Sequence, residues 1–208
     1  MASPFNLCPA RPYTKTSVKC SQPAIAINNS NQIIEVHCQL TGNQNESSLY
    51  YFVGTATAAT FNFPIEAQPL SSQENFGHRP SVAIMPAVNN NFVIVTYLNI
   101  KNQLAVKLGR FDITHNLIHW IDAESKLLTN NNVIIGNVTS ASVAINDFGI
   151  VVVAYSVHEK IYFLGGVLDN VANSITWNSG ATRSTDGINP KIALNGENTF
   201  LSVIVPNL

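Results

Sequence analysis

One short pattern returns four times along the 208-residue chain. Pro23-Ala-Ile-Ala-Ile-Asn28 recurs as Pro80-Ser-Val-Ala-Ile-Met85, as Ala141-Ser-Val-Ala-Ile-Asn146 and as Pro190-Lys-Ile-Ala-Leu-Asn195. The starts lie 57, 61 and 49 residues apart. A second apolar run follows each copy: Gln32-Ile-Ile-Glu-Val-His37, Phe92-Val-Ile-Val-Thr-Tyr97, Ile150-Val-Val-Val-Ala-Tyr155 and Phe200-Leu-Ser-Val-Ile204. A third run ends in glycine, at Gly54, Gly109 and Gly165. A fourth is short and aromatic: Thr60-Phe-Asn-Phe63, Leu117-Ile-His-Trp120 and Ser174-Ile-Thr-Trp177. A repeat of this length constrains folding strongly, because one unit buries its apolar face only against its neighbours.

Each run has four to seven residues, rich in Val, Ile, Phe and Tyr and bounded by Asn, Gly, Ser or Pro. That is strand chemistry joined by tight turns. No segment sustains a 3.6-residue apolar period, so helices are expected to be negligible. Four consecutive strands repeated at about 50 residues describe the blades of an all-β propeller, read as one domain over 1–208 with repeat starts at 23, 80, 141 and 190. Ala26, Ala83, Ala144 and Ala193 recur in the first strand, where small side chains let neighbouring units approach. Three units are complete and the fourth stops after its second strand. The N-terminal Ser3-Pro-Phe-Asn-Leu7 is expected to supply the outer strand of that last blade. A monomeric ring of about four blades is the first expectation, and a ring completed by another subunit the second.

Composition agrees with many strands and turns. The chain holds 26 Asn, more than its 23 acidic and basic residues together. Asn serves turns well and helices poorly. A net charge of −1 gives no general attraction to nucleic acid or anionic membrane. The longest apolar run, near Gly149–Tyr155, is too short to span a bilayer as a helix. The first residues show neither a basic region nor a long apolar stretch, so no signal peptide is evident and the compartment is not indicated. Cys8, Cys20 and Cys38 form no CxxC pair, so reduced thiols are expected; Cys8–Cys20 is the bridge to test first. Sequons at Asn28, Asn45 and Asn137 are about as many as this composition produces by chance.

The repeat resembles the family of tandem β-propeller repeats of bacterial and fungal proteins, whose pattern runs near G-x-x-P-S-V-A-x-N-x-x-G-x-V-V-E-V-H. The pieces that carry the resemblance are Gly77-His-Arg-Pro-Ser-Val-Ala-Ile84, Ile34-Glu-Val-His37, Gly187-Ile-Asn-Pro190, Tyr51-Phe-Val-Gly54 and Ser174-Ile-Thr-Trp177. In construction it is also similar to propeller lectins, the tectonin-like group among them. That resemblance implies carbohydrate binding in pockets repeated around a ring. Glu35 and His37 become Val95 and Tyr97, then Val153 and Tyr155, so equal sites in every blade are not implied.

The candidate ligand residues fall in three sets. Glu35, His37, Tyr97 and Tyr155 end the second strands, where rings stack on a sugar and polar groups bond its hydroxyls, or where they simply pack between blades. Trp120 and Trp177 end the fourth strands, as stacking platforms or as wedges between blades. Asn75, His78 and Arg79, then Arg183, Asp186 and Asn189, precede first strands, in connections that carry function in many folds.

Catalysis is not expected. The 12 carboxylates are scattered, and the nearest approach to an Asp-box turn, Ser184-Thr-Asp-Gly-Ile-Asn189, has its glycine one place early. No G-x-S-x-G, phosphate-cradling loop or HExxH occurs. His115 and His119, if both lay on one extended strand, would stand about 13 Å apart, too far to share a metal. Neither cofactor nor metal is expected. A lectin-like binding module is the leading reading, followed by a protein-interaction propeller, then a degenerate sialidase-like glycosidase relative. The expected partner is a glycan.

Overall fold

The computed structural model describes residues 20–40, 47–57, 60–63, 66–70, 77–86, 91–112, 114–196 and 200–205. Among these the chain is all-β, without a helix, and forms several antiparallel sheets. The N-terminal strand expected at Ser3–Leu7, the proposed Cys8 bridge, and Asn45 and Asn75 lie outside the described residues.

The first sheet comprises β1 (Cys20–Ile27), β2 (Gln32–Leu40), β3 (Ser47–Ala56), β4 (Phe61–Asn62) and β5 (Gln68–Pro69). The second comprises β6 (Gly77–Ile84), β7 (Phe92–Asn99), β8 (Leu104–Asp112), β9 (Leu117–Trp120) and β10 (Lys126–Leu127). A small hairpin follows, β11 (Thr129–Asn130) and β12 (Val133–Ile134). The third sheet comprises β13 (Val138–Ile145), β14 (Ile150–Val157), β15 (Lys160–Asp169), β16 (Ser174–Trp177) and β17 (Thr182–Asp186). A two-stranded sheet of β18 (Ile188–Leu194) and β19 (Phe200–Val205) ends the described chain.

Every expected first strand, but for its last residue, lies inside β1, β6, β13 or β18, and each of these carries a register shift where it begins. The outer strand differs from the single aromatic run read from the sequence. It comes in two pieces that pair with opposite halves of the third strand: β4 and β5 with β3, β9 and β10 with β8, β16 and β17 with β15.

The third strands do not end at their glycine but run on past it, to Ala56, Asp112 and Asp169, and the glycine has a packing cause. An ideal Cβ at Gly109 would lie 2.5 Å from Ile118 and 2.7 Å from Trp120; one at Gly166 would lie 2.8 Å from Trp177 and 2.9 Å from Ile175. The outer aromatic lies across the bare backbone, in the register Gly109↔Trp120 and Gly166↔Trp177. In the third unit the residue in this role is Gly166 rather than Gly165.

The sheets pack face to face through two apolar layers. Ile34, Val36, Cys38, Leu49, Tyr51 and Val53 of the first sheet meet Val82, Ile84, Val93, Val95 and Tyr97 of the second. Phe92, Ile94, Leu98, Leu104 and Leu108 of the second meet Val143, Ile145, Val151, Val153 and Tyr155 of the third. First strands lie beside one another in chain order, β1 by β6, β6 by β13 and β13 by β18. Each would expose unpaired N–H groups along its free edge. Side chains of the preceding sheet accept them: Gln22 Oε1 from Arg79 N (2.7 Å), Ser81 Oγ from Val143 N (3.1 Å), Ser140 Oγ from Asn189 N (3.1 Å) and Ser142 Oγ from Ile192 N (3.3 Å). Among the described residues, β18 does not pack along β1 in this way.

Turns account for the asparagine excess. Asn28, Asn99 and Asn146 each accept two backbone N–H bonds within their own hairpin. Eight of the twelve non-glycine residues with positive φ are Asn, the side chain that tolerates that region best.

Candidate ligand-binding site

Trp120 and Trp177 hold equivalent places in their sheets, yet their surroundings differ. Trp120 is wedged between the first two sheets. Tyr51 meets its ring edge-on at 5.4 Å, and the Lys107 ammonium sits 5.6 Å from its centroid. Lys107 is buried and donates to Ala123 O at 2.6 Å. Burial pushes its pKa down, against the opposing pull of Glu124 and Asp122. This tryptophan stabilises an interface.

Trp177 packs one side against the core between the second and third sheets. It also lines a cavity of about 240 Å³ together with Thr129, Asn131, Asn132, Asn178 and Ser179. The β11–β12 hairpin builds that cavity. Asn131 and Asn132 form its two-residue turn with φ of 50° and 62°, the left-handed pair such a turn requires. The hairpin is fixed at its root by Leu104 N→Ile135 O and Leu128 N→Leu104 O, both 2.9 Å, around the buried Leu128 and Ile135. It is tied at its side by Asn131 N→Ser179 O (2.9 Å) and Ala181 N→Asn130 Oδ1 (3.1 Å). The result is one half-buried indole bordered by three asparagine side chains and two hydroxyl-bearing residues, held on hydrogen-bonded backbone.

Tyr155 lies elsewhere in the third sheet. It stacks on Tyr162 at 5.5 Å, and the two help line a second cavity of about 230 Å³ with Asn130, Val133, Ile134, Ile135, Gly136 and Val157. Burial, reinforced by Tyr162, pushes its pKa up to about 12. The two cavities share the hairpin as a wall, one mainly polar and one mainly apolar.

The remaining candidates are dispersed. His37 is buried on the first sheet between stacked Tyr50 and Phe52. Its Nδ1–H donates to Glu35 Oε2 (2.8 Å) while Nε2 accepts from Gln39 Nε2 (3.1 Å), so both ring nitrogens are engaged within the sheet. Tyr97 is buried with Ser125 at its hydroxyl, and burial raises its pKa. His78 bonds Asn102 Oδ1 at 3.1 Å; burial and the Arg79 charge lower its pKa. Arg79 takes a left-handed φ of 51° just before Pro80. Arg183 and Asp186 pair at 2.8 Å on the exposed outer edge. The structure therefore brings Trp177 into a cavity and Tyr155 into its neighbour, and leaves the other eight apart from both.

The wide spacing inferred for His115 and His119 is corrected. His115 lies in the turn rather than on the strand, and both imidazoles reach Asp112 Oδ2 at 2.9 Å. Hydrogen bonds from His115 and His119 hold the Asp112 carboxyl well below the usual carboxylate range. Among the described residues, no group of three His, Cys, Asp or Glu side chains is arranged to hold a metal ion.

Asn131, Asn132 and Asn178 were not among the sequence candidates. Their signal was the 61-residue spacing, the widest of the three, together with Asn131-Asn132 set between Leu127-Leu128 and Val133-Ile134-Ile135.

No protein-family model matches the sequence, and no curated protein matches it. Among solved structures, one described as Hadza microbial sialidase Hz136 aligns over 84% of this chain and 49% of that chain, at 9% identity and a TM-score of 0.41. The chain thus spans about half the length of that structure, and the superposition is too loose to define its fold or ligand.

Proposed function

We propose that this chain is a non-enzymatic carbohydrate-binding module whose sheets are propeller blades, and that one sugar ring sits on Trp177. The Trp177 cavity carries the reading. An indole face suits the apolar face of a pyranose, and carboxamides suit its hydroxyls because each both donates and accepts. At about 240 Å³ the cavity lies just below the roughly 300–1,000 Å³ usual for small-ligand sites, a size suited to a single sugar ring. None of its lining residues is a carboxylate or a histidine, so it presents groups that hold a ligand rather than an acid/base pair. The blade reading draws support from three successive antiparallel sheets stacked face to face with their first strands side by side.

Binding of the chain to a multivalent glycan array tests the proposal. The wild type should retain at least one class of glycan. Trp177→Ala should weaken that binding at least about tenfold, or about 1.4 kcal/mol, with an unchanged circular dichroism spectrum. Absence of binding to every displayed glycan removes the reading.

A further inference from the structure

The described sheets end on two unlike faces that complement each other. Val82 and Ile84 of β6 are buried on the first sheet at 8% and 5% exposure; Val143 and Ile145 of β13 are buried on the second at 4% and 5%. The residues in the same register of β1, Ile25 and Ile27, are 61% and 54% exposed. At the other end, Ala83 and Ala144 are buried beneath the next sheet at 8% and 7%, whereas their counterpart Ala193 on β18 is exposed. One end thus offers an isoleucine pair with no described sheet beneath it, and the other a small-residue surface of the kind such pairs occupy.

Charge is exchanged at the same places. Internal junctions set Ser81 toward Val143, whose cross-strand partner is Val153, and Ser142 toward Ile192, whose cross-strand partner is Ser202. At the two ends these positions are Lys191 and Glu35, and Glu35 is the cross-strand partner of Ile25. Repeating the internal junction once more brings Lys191 beside Glu35. Within the chain Glu35 already holds His37 at 2.8 Å, and an end-to-end junction would bring the exposed Lys191 ammonium to the same carboxylate.

We propose that the exposed face of β18 in one copy docks on the β1–β2 face of a second copy, covering Ile25 and Ile27 and pairing Lys191 with Glu35. The contact is head-to-tail, so it closes into a ring if the rotation permits and otherwise extends into a chain. This inference rests on the paired faces and is independent of any sugar.

Sedimentation of the full chain over a concentration series tests it. The mass should exceed that of one chain and rise with concentration until a ring closes. Ile27→Arg and Ala193→Arg each block one end and should each give single chains. Mixed in equal amounts, they should form a dimer that grows no further, since each retains the end the other lacks; two misfolded variants could not do this. Lys191→Glu should raise the dissociation constant about tenfold. A single-chain mass for the wild type at every concentration, as closure within one chain would give, overturns the proposal, as does failure of the mixture to pair.

Discussion

At the residue scale, the glycines and aromatics of the repeat form one device. Trp120 and Trp177 gain contact area because Gly109 and Gly166 have no side chain to hold them off. Gly109→Ala should therefore destabilise the fold by about 1–3 kcal/mol in urea denaturation, since neither the backbone nor the wedged indole can withdraw freely. Tyr155 makes a second measurable case. Its raised pKa means that between the ordinary tyrosine value near 10 and about 12 the unfolded chain loses a proton that the folded chain keeps. Stability should fall as pH rises through that window, by up to about 1.4 kcal/mol per pH unit, and Tyr155→Phe should flatten the slope. Residue types announced strands and turns, but alternation alone did not separate a tyrosine lining a cavity from one between sheets. Tyr97 and Trp120 are buried by partners up to 69 residues away in sequence, such as Tyr51 beneath Trp120.

At the element scale, the first strands are the informative ones. A strand at the inner edge of its sheet has N–H groups with no ladder partner, and the serine before each Val-Ala supplies one acceptor. Ser81→Ala leaves the Val143 N–H buried and unpaired, and should lower the denaturation free energy by about 1–3 kcal/mol, whereas Lys191→Ala at the open end should change it little. The first three strands of the first three units were legible because eight to ten residues carry a readable apolar pattern. The second outer segment was not: Gln68–Pro69 and Lys126–Leu127 are two-residue pairings too short to show any period. The β11–β12 hairpin was hidden for the same reason, although its Asn131-Asn132 turn is a recognisable hairpin signal.

At the scale of the whole molecule, repetition set the number and order of the sheets, and that much could be read from four copies of one pattern. How the set ends could not be read there, because each copy reports its own packing and not what lies beyond the last one. The exposed isoleucines of β1 and the exposed alanine of β18 supply that information. The hairpin beside Trp177 breaks the equivalence of the sheets, since it occurs once among the described residues while the tryptophan position recurs. Its consequence concerns valency. If that pocket holds a sugar as proposed, a chain with one of them would engage a glycan-covered surface one foot at a time, and assembly would convert those single contacts into avidity, with the second pocket held at a high effective concentration after the first has bound.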